Sequence, residues 1–344
     1  MNSIDMKART GSAAKPVWPA EWEPHSCCWM AWPDSSGWGP RLETVEREYV
    51  AVAHAIARFE PVRMVANPRS AAKARRMLGA DVEVVELPVS DSWFRDSGPT
   101  FVRLQDGSVS GLCWRFNGWG GAAPDFADDA RLARRLVSAI GLEAGTSALA
   151  MEGGAIFSDG EGTLLTTDSV VFNPNRNPGL TREHAEAEFR RALGVEKVIW
   201  LPGNDSEFGT NGHIDGIATF VRPGVVLFET SSEDSGPSFE TTMKNLRALE
   251  GQTDAKGRKL DLLFIREGER VRAGNGDWGY SISYVNFYIA NGGIVMPCFG
   301  LPGDDAARDA VAAAFPDHAI TQVNIATIAA GGGGIHCITQ QQPL

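Results

Sequence analysis

The chain has 344 residues, 43% of them hydrophobic and 22% charged, with a formal net charge of −11. That is an ordinary globular composition with material for a large core. The acidic balance argues against nucleic acid and against an anionic membrane surface, both of which need basic residues. No apolar run reaches the roughly 18 residues of a membrane-spanning helix.

Taken from the start, "MNSIDMKARTGSAAKPVWPAEWEP" lacks the apolar stretch of a secretory signal. Residues 1–16 are expected to be disordered, and residues 17–344 to form a single catalytic domain. The five cysteines, Cys27, Cys28, Cys113, Cys298 and Cys337, are odd in number and show no CxxC spacing. Free thiols in a reducing compartment, hence the cytoplasm, are the expectation.

Apolar runs of strand length follow at 62–67, 82–88, 195–202, 260–267 and 319–329. Segments with helical spacing lie between them at 41–58, 69–78, 125–140, 181–193, 239–249 and 304–315. "GGAIFSDGEGTLLTT" and "DGIATFVRPGVVLFET" carry hairpin turns. The mixture predicts an α/β fold with hairpins.

A divergent repeat is also visible. Asp96 lies four residues before the strand-like Thr100-Phe101-Val102, and Asp215 four before Thr219-Phe220-Val221. Glu152 lies four before Ile156, while "NGGIVMP" (291–297) and "GIHCITQ" (334–340) share the Gly-then-strand form. Units related by rotation would bring Asp96, Glu152, Asp215 and Cys337 to one axial pocket.

Cys337 stands out among the thiols. Glycines precede it, which lets backbone approach a ligand closely, and polar residues follow it. Cys298, in "GGIVMPCFG", reads as an inert core thiol. His213, in the Gly- and Asn-rich "GTNGHIDG", is the candidate general base. His336 is expected to point to the opposite face of a strand from Cys337. Three acids in one pocket repel one another unless a cation lies between them. A guanidinium fits, being planar, charged and able to engage carboxylates two bonds at a time. A divalent metal would take the same oxygens, but no metal-ligand spacing is present, so no metal is expected.

The motifs "PAEWEPHSCCWMAWP", "DSWFRDSGPTF", "FNGWGG", "NPNRNP", "TNGHID", "SYVNFYIANGGIVMPCFG" and "GIHCITQQQP" resemble, in order and from about residue 17 to 343, those of the agmatine deiminases. Those enzymes sit with the bacterial peptidylarginine deiminase-type proteins in the guanidino-group-modifying, or pentein, superfamily. The resemblance implies a five-fold pseudosymmetric α/β propeller with an axial site. It also implies Cys337 as nucleophile, His213 as general acid and base, Asp96 and Asp215 gripping the guanidinium, and Glu152 partnering the histidine. It implies no cofactor, a small cationic guanidino substrate, and a homo-oligomer.

Agmatine, hydrolysed to N-carbamoylputrescine and ammonia through a thiouronium adduct, is the expected substrate. Trp93, Trp119 and Gly334 are the expected further substrate contacts. Two loops depart from the agmatine pattern: 34–46 after "MAWP", and 205–209, where Phe208 and Gly209 stand in place of an acidic pair. Other guanidino compounds or arginine residues therefore stand as alternative substrates. Amidino transfer to an amine, or cation binding without catalysis, are the alternative functions.

Overall fold

Five small sheets, each combining an antiparallel pair with a helical crossover, account for the sixteen strands among the described residues. The computed structural model describes residues 15–207, 209–232, 237–268 and 282–344. Residues 1–14 of the segment expected to be disordered lie outside these, whereas Lys15 bonds Glu196 at 3.2 Å and Val17 pairs with Arg103.

The first sheet begins with β1 (His25–Ala31), β2 (Val62–Ala66) and β3 (Val82–Glu86), all parallel. The next four repeat one pattern, an antiparallel pair followed by a parallel strand. They are β4 (Thr100–Arg103), β5 (Val109–Cys113) and β6 (Glu143–Thr146); β7 (Ile156–Ser158), β8 (Thr163–Thr167) and β9 (Lys197–Leu201); β10 (Ala218–Arg222), β11 (Val225–Thr230) and β12 (Asp261–Arg266); and β13 (Tyr288–Ala290), β14 (Gly293–Cys298) and β15 (Ala319–Asn324). The last strand, β16 (Thr339–Pro343), returns to pair antiparallel with β1, setting Trp29 opposite Gln340 and Met30 opposite Thr339. The first unit is thus completed by both ends of the described chain.

Parallel neighbours need a crossover, and a helix supplies it in every unit. Leu42–Ala57 joins β1 to β2, and Asp129–Ala139, Arg182–Leu193, Pro237–Leu249 and Asp304–Ala314 serve the other four. Leu42–Ala57 buries Val45, Tyr49, Val52, Ala53 and Ile56, one stripe at helical spacing, against Met64 of β2 and against Ile328 and Ile335. Each such large apolar side chain contributes about 1.5–3 kcal/mol. Arg182–Leu193 is closed at both ends. The Thr181 side chain accepts from the His184 amide, and Gly194 takes the left-handed conformation at φ 73°.

Two expectations need correction. The apolar run 319–329 is not one strand: β15 stops at Asn324, and Ala326–Ala329 is a helical turn. In the fifth unit, "NGGIVMP" forms the second strand, β14, not the first. The turn equivalent to those holding Asp96, Glu152 and Asp215 therefore lies earlier, just before β13, at Asn286.

That shift places the site. A short turn precedes the first strand of each unit: Phe94–Ser97, Gly153–Ala155, Ile214–Gly216 and His336–Ile338 are helical turns, and Asn286 occupies the fifth position. Phe94–Ser97 packs on both Gly153–Ala155 and His336–Ile338, and Gly153–Ala155 packs on Ile214–Gly216. These turns meet at the centre of the molecule.

Candidate active site

At that centre Gly154 faces three functional groups at once. A methyl group on its Cα would lie 2.7 Å from His213 Nδ1, 2.8 Å from Asp215 Oδ2 and 2.9 Å from Asp96 Oδ1. Only hydrogen fits there. The side chains come from two other units, Asp96 from the Phe94–Ser97 turn and both His213 and Asp215 from the turn before β10, and all are buried.

Cys337 Sγ lies 3.6 Å from Asp215 Oδ2 and 3.3 Å from Nδ2 of Asn286. The Asn286 amide also accepts from the Cys337 backbone N–H at 3.3 Å and donates to the Asp215 carbonyl at 3.1 Å. Asn286 thus ties the thiol's turn to the turn of Asp215. It was legible only through the repeat, because its place relative to β13 matches that of Cys337 relative to β16.

His213 has Nε2 3.3 Å from Glu152 Oε2 and Nδ1 3.8 Å from Asp96 Oδ1. Glu152 is fully buried and is held by Nε of Arg176, at 3.0 and 2.9 Å to its two oxygens. The same guanidinium donates to Asn211 Oδ1 at 2.6 Å and to the carbonyls of Gly209 and Thr210. Asn211 itself stands at φ 58°. Arg176 therefore fixes both Glu152 and the loop that delivers His213. Arg176 lies in "NPNRNP", but nothing in that motif names its partner.

Asp96 accepts from the Gly154 amide at 2.9 Å and from the indole N–H of Trp119 at 2.8 Å. Asp215 Oδ2 lies 2.9 Å from Nδ1 of His336. His336 sits in a helical turn, not on a strand as expected, and it reaches the same Asp215 oxygen that faces Cys337.

Burial opposes charge on all these groups, and the outcome differs by neighbour. The His213 bond and the Arg176 charge carry Glu152 below its ordinary value despite burial, and His336 does the same for Asp215. Asp96 goes up through burial, with Asp215 and Glu152 adding repulsion. His213 is pushed to about 9 because Asp96, Glu152 and Asp215 outweigh its burial. Burial, then Asp215 and Asp96, drive the Cys337 thiol well above its ordinary value. The resting pair is thus imidazolium and thiol.

The acids are not left unpaired, as the sequence alone suggested. Arg176 answers Glu152, His336 answers Asp215, and His213 lies within reach of Asp96. The set becomes net negative only when Cys337 loses its proton, and a cation beside the sulfur would then restore balance.

A cavity of about 660 Å³ opens onto His213, Asp215, Asn286 and Cys337. Asp96 and Glu152 stand behind this wall. Further out lie Glu207, Glu229 and Glu267, with the hydroxyls of Ser231, Thr241 and Thr242; among the described lining residues there is no lysine or arginine.

The expected further contacts are placed differently. Trp93 does not reach the cavity, since it packs on Trp38 with ring centroids 5.8 Å apart and backs Gly333. Trp119 is spent on Asp96. Gly334 is also off the wall; a side chain there would strike the Asn286 amide, so this glycine serves the Asn286–Cys337 contact. Of the divergent loops, none of the described side chains of 34–46 lines the cavity, and 42–46 belong to the first crossover helix. Asn204, Ser206 and Glu207 do line it, while Phe208 lies outside the described residues. Cys298 is half-buried rather than in the core. No group of three metal-ligating side chains occurs among the described residues, and no helix there is long and apolar enough to cross a membrane.

The profile of the Porphyromonas-type peptidyl-arginine deiminases matches residues 17–343. An agmatine deiminase from Ectopseudomonas mendocina is 41% identical over 349 residues, covering 94% of this chain and 95% of its own. The structure of an agmatine deiminase from Enterococcus faecalis is similar with a TM-score of 0.92 and 32% identity, over 98% of this chain and 99% of that one. At 10% identity and a TM-score of 0.54, the amidinotransferase SxtG from Microseira wollei shares the fold over 95% of this chain and 96% of its own.

Proposed function

This chain belongs to the Porphyromonas-type peptidyl-arginine deiminase family, and from that premise we propose that it hydrolyses agmatine to N-carbamoylputrescine and ammonia, with Cys337 as nucleophile and His213 as general acid and base. The fold is that of the pentein superfamily, and the enzyme is a hydrolase of guanidino C–N bonds. The observation that carries the choice of substrate is the cavity wall: the acidic side chains of Glu207, Glu229 and Glu267, with no lysine or arginine among the described lining residues. Burial pushes Glu207 up and Glu229 to about 8, so an arriving ammonium is what would ionise them. Such a wall accepts an amine tail and repels the carboxylate that free arginine would bring.

The substrate enters as a guanidinium, because its pKa lies above about 12. Asp215, on the cavity wall, orients the planar head and keeps its carbon electrophilic, and Asp96, behind that wall, adds a second negative charge toward the same head. The thiol proton, within reach of Asp215 Oδ2 and Asn286 Oδ1, passes to solvent as the cation arrives, and the sulfur bonds to the carbon. The His213 imidazolium, oriented by Glu152, donates its proton to one amino group, and the C–N bond breaks to release ammonia. A thiouronium cation remains on Cys337. The now neutral His213 takes a proton from water, and the hydroxide adds to the same carbon. Collapse breaks the C–S bond and gives the ureido product. The hydroxyl proton passes to solvent, where the ammonia released earlier takes it up as ammonium, and the Cys337 thiolate regains the proton it gave up at the start. The transferred centre stays cationic, so no oxyanion hole is required.

The test is a panel of agmatine, arginine, peptidyl-arginine and guanidino acids, assayed for ammonia and ureido product with no added amine. Agmatine should be turned over and free arginine should not. An absolute requirement for an amine acceptor would favour amidino transfer, and preference for arginine would overturn the reading of the cavity.

A further inference from the structure

His336 places both of its ring nitrogens against carboxylates. Nδ1 is 2.9 Å from Asp215 Oδ2, and Nε2 is 2.9 Å from Glu21 Oε2. The ring is 2% exposed and lies over Phe157, with centroids 5.5 Å apart and planes at 24°. An ionised carboxylate only accepts hydrogen bonds, and a neutral imidazole has one N–H to give. A neutral ring would leave one nitrogen lone pair facing a negative oxygen in a buried site. A doubly protonated ring satisfies both contacts.

The surroundings are built for that charge. Glu21 also accepts the Ile289 amide at 2.9 Å and lies 3.6 Å from Arg95 Nη2. Arg95 donates to the His336 carbonyl at 3.2 Å and to Gln341 Oε1 at 2.8 Å. The charged groups facing His336 are therefore Glu21 from the segment before β1, Arg95 from the Phe94–Ser97 turn, and Asp215 from the Ile214–Gly216 turn. Read outward, they run Asp215, His336, Glu21, Arg95, with alternating sign. Glu21 and Arg95 are not among the described residues lining the large cavity, and the pocket of about 10 Å³ beside them is too small for a substrate, so the row serves Asp215.

We infer that His336 is a positioning residue, held as an imidazolium between Glu21 and Asp215, which fixes the orientation of Asp215 and keeps it ionised for the substrate guanidinium. The role rests on the reading of Asp215 as a guanidinium carboxylate. Burial and Arg95 disfavour the charge on His336, but Glu21 and Asp215 more than offset them and its pKa is raised. Asp215 is correspondingly lowered. Because Asp215 Oδ2 also faces Cys337 Sγ, one oxygen is shared between the fixed imidazolium and the nucleophile.

Two measurements decide it. In ¹⁵N-histidine-labelled enzyme, with the His336 signals assigned by their loss in His336→Gln, both ring nitrogens should be protonated at neutral pH; an unprotonated nitrogen there overturns the inference whatever the substrate. In the pH profile of kcat/KM for agmatine, His336→Gln should move the acidic limb upward by about one unit, so that the loss is up to about tenfold larger on that limb than on the plateau. Glu21→Gln, at a residue that contacts His336 but not Asp215, should shift the same limb in the same direction and supplies the test should His336→Gln fail to fold. An equal loss at every pH in the folded variants would mean scaffolding alone and would overturn the inference. A wild-type enzyme inactive on agmatine would instead overturn the substrate assignment, leaving the nitrogen signals to judge His336.

Discussion

The sulfur of Cys337 lies 3.6 Å from a carboxylate oxygen of Asp215. A thiolate there meets repulsion, and burial adds to it, so the thiol is raised well above its ordinary value. In the free enzyme, alkylation of Cys337 by iodoacetamide should be slow at neutral pH and should keep rising without a plateau up to about pH 10, where an ordinary thiol has levelled off. A rate already maximal near neutrality would contradict substrate-coupled deprotonation.

His213 titrates at about 9 in the folded protein, against about 6.5 in an unfolded chain. The folded state therefore holds this proton more tightly. The resulting stability is fully present below about pH 6.5 and is lost as the pH rises toward about 9. Denaturant midpoints of wild type should fall across that window, and those of His213→Gln should fall less. Parallel curves would show that the carboxylates do not hold a proton on His213.

Gly154→Ala puts a methyl group within 2.9 Å of His213, Asp215 and Asp96 together. Moving any one of them disrupts the reacting geometry, and a misplacement of about 1 Å costs on the order of 100-fold. Overpacking should also lower stability by about 1–3 kcal/mol. Steady-state kinetics and urea denaturation measure the two effects. Near-normal kcat would mean that the three groups do not act on one substrate carbon.

Arg176→Met removes the cation from a fully buried carboxylate. Breaking such a pair from one side costs about 3–5 kcal/mol. Activity should fall further than stability alone explains, because Arg176 also anchors the 209–211 loop ahead of His213. Combining it with Glu152→Gln should recover part of the lost stability but not the activity, as read by thermal unfolding alongside ammonia release.

The units of the fold could be read from the chain because hairpin turns and helical spacing are local. The crossover helix expected at 181–193 is observed as Arg182–Leu193, and the strand at 62–67 as Val62–Ala66. Asp96, Glu152, Asp215, His213 and Cys337 could be gathered from the repeat and the family motifs, and all five lie at the centre. Asn286 escaped because the fifth unit was aligned on its second strand, where a glycine pair imitates the start of the first. Arg176 and Glu21 escaped for another reason. What marks them is a buried carboxylate or imidazole needing an opposite charge, and sequence distance conceals that need. Trp93 and Trp119 were assigned to the substrate because large aromatics suit a channel wall; only packing reveals that one backs a glycine loop and the other holds Asp96.

The pairing of β16 with β1 has a consequence for how the molecule is made. The strand following the nucleophile finds its partner almost the whole chain away, and contacts of such separation form slowly. Four units can nucleate on local hairpins and helices, but the sulfur reaches the other reacting groups only when this seam closes. After dilution from denaturant, recovered turnover should therefore follow the slowest refolding phase, and enzymatic competence becomes a stopwatch for ring closure.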